Sequence, residues 1–181
     1  MPDRKVILYI AMSLDGYIAT KDDNIDFLSI VEKNGEDYGY FDFVNTIDTV
    51  IMGRKTYEKV LSFGIDFPHA DKECYILTSA KKPSEGNIHF YNQPLTDLIS
   101  HLKSKNGKNI YCDGGAETVH SLLKEKLFDE LIISVIPVLL GDGIRLFKGE
   151  EPEQKLKLIS SKSYEKGLIQ VHYQIKYDSA P

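Results

Sequence analysis

A chain of 181 residues, 42% hydrophobic and 27% charged, is long enough for one domain with a substantial core and too apolar for a disordered segment. Its formal net charge of −5 excludes a general attraction for nucleic acid or an anionic membrane, so any anion must be held locally. Cys74 and Cys112 both sit inside apolar runs, as buried thiols of a cytoplasmic protein and not as a disulfide framework; the apolar run Val6–Met12 is too short for a secretory signal core, and no run approaches the roughly 20 apolar residues of a membrane span.

Lys5–Met12 is nearly all apolar and predicts a strand buried on both faces. Ser13-Leu14-Asp15-Gly16 breaks it, and Tyr17-Ile18-Ala19 resumes briefly. A short helix is expected over Ile25–Val31 behind an Asn24 cap, and a second over Tyr38–Asn45. Asp48–Met52 is a second buried strand, ending at Gly53 where a helix begins and runs to about Leu61. After a loop over Gly64–Asp71, Glu73–Leu77 and Ile88–Tyr91 are further strands. Thr96–Lys105 is a helix with Leu98, Ile99 and Leu102 along one face. Asn109–Cys112 is a strand, followed at once by Gly114-Gly115 and a helix over Glu117–Lys126. Leu131–Val138 is a sixth strand, and 139–147 is a glycine-punctuated loop. Lys155–Tyr164 and Leu168–Tyr177 alternate apolar and polar residues, the pattern of an antiparallel hairpin at a sheet edge. The whole chain, 1–181, reads as a single α/β domain: a mostly parallel sheet between two layers of helices, with an antiparallel tail.

In such a sheet, ligands bind at the carboxyl ends of the strands. Three strand ends carry residues suited to phosphate: Gly53-Arg54-Lys55-Thr56, Thr78-Ser79 with Lys81 and Lys82 behind, and Gly114-Gly115 opening a helix. A glycine turn into a helix presents bare N–H groups at the positive end of the helix dipole. Taken one at a time, the glycines are equally explained by a tight turn and the cations by a solvated surface. Together they suit one extended ligand with several phosphates, and Arg54 suits a ribose 2′-phosphate because its planar fork grips phosphate bidentately. There is no G-x-G-x-x-G, P-loop or G-x-S-x-G motif, and neither the five histidines nor the two cysteines have metal-ligand spacing, so no metal is expected.

Four stretches occur in order: Met12–Ala19 (MSLDGYIA), Met52–Glu58 (MGRKTYE), Asp113-Gly114-Gly115, and Pro137–Gly143 with Leu146-Phe147. In them the chain resembles the dihydrofolate-reductase-like superfamily, and within it the reductase domain of the bifunctional riboflavin-biosynthesis deaminase/reductase. That resemblance implies a three-layer αβα dihydrofolate-reductase-like fold and NADPH as cofactor. Its contacts map onto Ala11, Ile18 and Ala19 beside the nicotinamide, and onto Gly53, Arg54, Lys55 and Thr56. They continue at Leu77, Thr78 and Ser79 around the adenosine end, and at Gly114, Gly115, Ala116 and Glu117 under the diphosphate. The activity implied is hydride transfer to a C=N or C=O carbon of a small heterocycle, as in 5-amino-6-(5-phosphoribosylamino)uracil reductase, with a dihydrofolate-reductase-type activity as the alternative.

Asp15 and Asp26 are the candidate proton donors, with Ser13 as a hydrogen-bonding partner to substrate, and Phe27, Tyr57 and Phe147 are candidate pocket walls. Each has a plainer role as a turn residue, a helix first-turn acid or a core aromatic. Neither Asp26 nor Glu36-Asp37 falls where dihydrofolate reductases keep the carboxylate that holds the pterin. This favours an alternative of another class, a non-catalytic NADPH-binding module. The expected partners are a small-molecule substrate and a second copy of the chain, joined through the apolar edge of the C-terminal hairpin, with no nucleic acid and no membrane.

Overall fold

The computed structural model describes residues 4–177. The chain enters through β1 (Val6–Ser13) and β2 (Tyr17–Ala19), followed by a 3₁₀ helix (Asp26–Val31) and α1 (Tyr40–Val44). Then come β3 (Ile47–Gly53), α2 (Arg54–Ser62), β4 (Glu73–Leu77), β5 (Ile88–Tyr91), α3 (Leu95–Ser104), β6 (Asn109–Gly114) and α4 (Ala116–Lys124). β7 (Glu130–Ile136), β8 (Ile144–Arg145), β9 (Lys155–Ser163) and β10 (Ile169–Lys176) complete it. Eight strands form one sheet in the order β5-β4-β3-β6-β1-β7-β10-β9, in which only β10 runs against its neighbours. β2 and β8 pair separately as a short antiparallel ribbon.

The sheet is filled from both sides, as the unbroken apolar runs of β1 and β3 require. On one face Val6, Leu8, Ile110 and Cys112 pack under α3 and α4 through Leu98, Leu102, Val119 and Leu122. On the other, Ile7, Val50, Met52 and Tyr111 pack under α1 and α2 through Phe43 and Tyr57. Among the described residues no helix is long and apolar enough to cross a membrane.

Local physics accounts for most differences from the expected bounds. The helix expected over Tyr38–Asn45 starts only at Tyr40, because Tyr38 (φ 57°) and Gly39 (φ 83°) are both left-handed and cannot lie inside it. The Ile25–Val31 segment is a 3₁₀ turn, introduced by the Asn24 Oδ1 accepting the Asp26 N–H at 2.6 Å. α4 stops at Lys124 in a Schellman arrangement: Lys126 is left-handed, its N–H reaches Leu123 O at 3.1 Å, and Leu127 N–H reaches Leu122 O at 2.9 Å. β7 ends before Pro137, which has no N–H for the ladder.

At the amino ends of the parallel strands sits a polar bolt. Arg4, 5% exposed, donates through Nε to Lys108 O (2.6 Å), through Nη1 to Leu102 O (3.1 Å) and through Nη2 to Thr49 Oγ1 (2.8 Å), and it is ion-paired with Asp48. One guanidinium thus joins β1, β3, β6 and α3. Gly107 closes the bolt from outside, since a Cβ there would lie 2.5 Å from Asp48 Oδ2 and 2.9 Å from Arg4 Cζ. Arg4→Ala strands two carbonyls and a carboxylate and is expected to cost about 2–3 kcal/mol in urea unfolding, discounted because Asp48 is partly solvated. Gly107→Ala is expected to destabilise as well, and the double variant to lose less than the sum, since both act on one ion pair.

Candidate active site

β3 and β6 lie side by side with Met52 opposite Gly114, so the helices that follow them, α2 and α4, begin together. Gly53 and Gly115 cap these helices in extended conformations (φ −72° and −74°), and no side chain caps either helix. The two glycines face each other's helices. A Cβ on Gly53 would lie 3.0 Å from Thr118 Oγ1 on α4, and one on Gly115 would lie 3.0 Å from Thr56 Oγ1 on α2. Gly114 has φ 98°, which side-chain-bearing residues rarely adopt, and the Gly114–Gly115 peptide is cis. The first-turn N–H groups of both helices, at positive dipole ends, thus begin side by side with no capping side chain, while Thr56 and Thr118 pack against the glycines.

The neighbouring strand ends extend this groove. Leu77 is paired with Gly53, so Thr78 and Ser79 leave the sheet beside Arg54. Arg54 is held across one turn by Glu58, at 2.7 Å to each carboxylate oxygen. Thr78 Oγ1 accepts the Ala80 N–H at 3.1 Å. Glu117, in the first turn of α4, is ion-paired with Lys148, which lowers its pKa. The structure thus lines up Leu77–Ser79, Gly53–Thr56 and Gly114–Glu117 on adjacent strand ends, with Ala11 one strand further on and Ile18–Ala19 in the ribbon beside it.

Ala11 also lines a cleft of about 710 Å³ between β1, β7, the 3₁₀ helix and the loop 32–37. Its walls include the polar side chains of Tyr9, Tyr40 and Ser134, of which Tyr9 and Ser134 lie together. Gln170 on β10 ties them together: its Nε2 lies 3.1 Å from Tyr9 Oη, 3.1 Å from Ser134 Oγ and 3.1 Å from Tyr38 O. Tyr9 Oη in turn donates to Tyr38 O at 3.0 Å, and its ring stacks on Phe43 at 4.7 Å. Burial pushes the Tyr9 and Tyr40 hydroxyls up to about 12, so both are neutral donors at any ordinary pH. Asp113 lies on β6 immediately before the double glycine. It accepts the Tyr111 hydroxyl at 2.5 Å, and its Oδ2 lies 3.5 Å from Nε2 of the buried His69, whose Nδ1 has no partner among the described residues.

The expected catalytic and wall residues do not meet in this cleft. Ser13 is fully buried; its hydroxyl donates to Asp15 Oδ1 at 2.6 Å and accepts the Tyr17 N–H at 2.9 Å. Asp15 accepts the N–H groups of Leu140 (3.1 Å) and Gly141 (2.7 Å). The pair is a fastener between the 13–17 turn and the 137–146 loop, reinforced where Leu146 N–H reaches Gly16 O at 2.9 Å and Arg145 sits over the Tyr17 ring at 4.7 Å. Asp26 is exposed and bonded to Asn24. Phe27 is buried beneath the cleft against Val31, Ile136 and Leu168. Tyr57 is buried under α2, edge-on to Phe67 and Phe90. Phe147 lies partly exposed beside Lys148, on the α4 side. In the structure each of these residues makes a fastening, capping or packing contact of its own. Tyr9 and Ser134 had a legible signal that went unused: a polar residue inside a buried apolar strand must have a partner, and here the partner is also a site.

The comparisons with known proteins agree with this layout. The family model for the RibD C-terminal domain matches residues 66–170, more than half of the chain. The chain belongs to the RibD C-terminal domain family. YwjB of Bacillus subtilis (strain 168) is 45% identical over 94% of this chain and 98% of its own length. A crystal structure from Shewanella sp. PV-4, of a protein provisionally named for riboflavin biosynthesis, superposes with a TM-score of 0.88 at 34% identity, covering 96% of this chain and 99% of that one. Dihydrofolate reductase from Enterococcus faecalis, solved with NADP(H) and the ligand RAB-propyl, shares the fold at a TM-score of 0.66 and 16% identity, covering 96% and 97% of the two chains. The chain is therefore a RibD-reductase-like protein with a dihydrofolate-reductase-like fold.

The Asp15 fastener has a pH signature. The Ser13 hydroxyl first, then the Gly141 and Leu140 N–H groups, hold its carboxyl below the ordinary carboxylate value. A carboxyl depressed in the folded state stabilises above its unfolded pKa, and that contribution is lost as pH falls through the lowered folded value. Amide exchange of Leu140 and Gly141 is expected to accelerate across that acid window. In Asp15→Ala it is expected to be at least about tenfold faster at neutral pH, with the core amides unchanged.

Proposed function

We propose that this RibD-reductase-like protein is an NADPH-dependent reductase acting on a C=N or C=O carbon of a small heterocycle. The observation that carries this reading is the facing pair of glycine-capped helix starts, with no room for a Cβ on either glycine without displacing a threonine of the other helix. The bare N–H groups of α2 and α4 would hold the diphosphate, and Arg54 with Thr78 and Ser79 the ribose 2′-phosphate. NADPH supplies the hydride when bound. The protein's part is position: Ala11, small and lining the cleft one strand from the glycines, lets nicotinamide and substrate approach, while Ser134, held by Gln170, orients the substrate from the inner wall. Buried free cysteines suit the reducing cytoplasm, where we place the activity.

Gly115→Val puts a branched side chain where the groove is tightest. It must displace Thr56 and so lowers the thermal midpoint, and it is expected to weaken NADPH binding at least about tenfold by calorimetry, beyond what that loss of stability accounts for. Equal loss of both would show that the glycines serve only the turn. NADPH binding with no oxidation by any pyrimidine or pterin would instead identify a non-catalytic nucleotide-binding module.

We further propose a homodimer through the C-terminal hairpin. All nine residues of β9 are exposed, its outer edge pairs with no described strand, and Leu156, Leu158 and Ile169 are about half exposed on the hairpin. An open edge with an apolar face is the kind of surface a two-fold copy covers. Light scattering is expected to give twice the chain mass, and Leu156→Asp with Leu158→Asp is expected to give a folded monomer.

A further inference from the structure

We propose that the cleft takes an amino-substituted heterocycle that is neutral or cationic and carries no phosphate or carboxylate tail. This rests on the reductase reading for the substrate role of the cleft, and it sets the protein apart from the phosphoribosyl substrate of the riboflavin-pathway reductase it resembles.

The inner wall is uncharged. Ser134 is 4% exposed and lines the cleft; its oxygen lies 3.1 Å from Gln170 Nε2, and no described residue accepts its hydroxyl hydrogen. A buried donor without an acceptor calls for one on the ligand, a ring carbonyl or ring nitrogen. The Tyr9 hydroxyl beside it is already committed to Tyr38 O. Nothing in this wall compensates a negative charge.

The mouth is acidic. Glu32, Glu36 and Asp37 line it with one lining cation, Lys33, whose ammonium is paired with Glu165, while Lys162 of β9 acts on Asp37 from beyond the lining. The backbone fixes this charge: Asp37 accepts the N–H groups of Gly39 (3.0 Å) and Phe41 (2.8 Å), and Glu36 accepts that of Tyr38 (3.1 Å). The three arginines are all elsewhere: Arg4 in the bolt at the opposite end of the sheet, Arg54 at the start of α2, and Arg145 over Tyr17. No arginine or histidine lines the cleft. An anionic tail leaving the cleft would pass three carboxylates with no guanidinium to receive it, whereas amino groups would find acceptors there.

Two ligand pairs, each differing in an anionic tail, test this by calorimetry on the whole protein saturated with NADP⁺: 5-amino-6-ribosylaminouracil against its 5′-phosphate, and dihydrobiopterin against dihydrofolate. In at least one pair the tail-free member is expected to bind tenfold or more tightly, with a gap that shrinks as salt rises. Glu32→Gln with Glu36→Gln, which keeps an acceptor for the Tyr38 N–H, is expected to narrow the gap several-fold without changing the thermal midpoint. Equal or tighter binding of the anionic members, a gap unmoved by salt and by the double variant, or no binding of any of the four would overturn the proposal. A separate NADPH titration distinguishes the failures: without NADPH binding the reductase reading falls, and with it intact only the substrate class does.

Discussion

Two helices begin where two neighbouring parallel strands end, and the space between them leaves no room for a Cβ unless a threonine gives way. This constraint organises the molecule. Gly53 must pass Thr118, and Gly115 must pass Thr56, so the N-termini of α2 and α4 are locked at one height above the sheet. The bolt around Arg4 fixes the other end of the same strands, tying β1, β3 and β6 to α3. Strands held at both ends leave the first-turn N–H groups of two helices side by side. Helix ends held in this way are oriented before any ligand could bind.

Ala11 of the cleft lies one strand from Gly114-Gly115, and this junction of cleft and groove is at the strand ends where ligands bind in such a fold. The two are built differently. The groove is backbone, made of glycines and helix ends, and so depends on where the chain turns. The cleft is side chain: Tyr9 from β1, Ser134 from β7 and the Gln170 amide from β10, joined across three strands. These neutral polar groups hold one another and Tyr38 O, and the Ser134 hydroxyl hydrogen is left without an acceptor among the described residues. The Ser13–Asp15 fastener serves the same end from outside the cleft, pinning the turn after β1 to the loop after β7 so that the edge of the junction does not drift.

How much of this was legible in the sequence follows from the same division. Apolar runs and glycine breaks located nearly every strand and helix, because burial on two faces and helix starts are local properties. The groove was legible for the same reason: Gly53, Thr78 and Gly114-Gly115 announce themselves as strand ends. The Ile144–Arg145 strand was not, since two residues between glycines hold their place only by pairing with β2. The wall aromatics went astray because Phe27 and Tyr57 are chemically suited to a pocket or a core, and only the tertiary side on which they fall decides. Asp15 looked like a catalyst because it is an acid near the mouth, yet its acceptors are spent on backbone N–H groups from a loop about 125 residues away.

The Tyr9–Ser134–Gln170 wall shows the limit most clearly, and it also decides what kind of carbonyl or imine the protein can hold. Gln170 reaches Tyr9 across 161 residues of sequence, in an antiparallel strand whose register against β7 is set by the hairpin at the chain's end. Nothing local marks that glutamine as different from any solvent-facing one. Its consequence is nevertheless specific. With its amide holding both hydroxyls, neither Tyr9 nor Ser134 is available as a base, and burial keeps Tyr9 protonated. Of the two hydroxyls held by Gln170, Tyr9's is committed to Tyr38 O, and only Ser134's is left to donate to a ligand. On the proposed reading, selection by charge at the acidic mouth and reduction beside it belong together: a substrate whose amino groups suit the carboxylates would bring its acceptor toward Ser134.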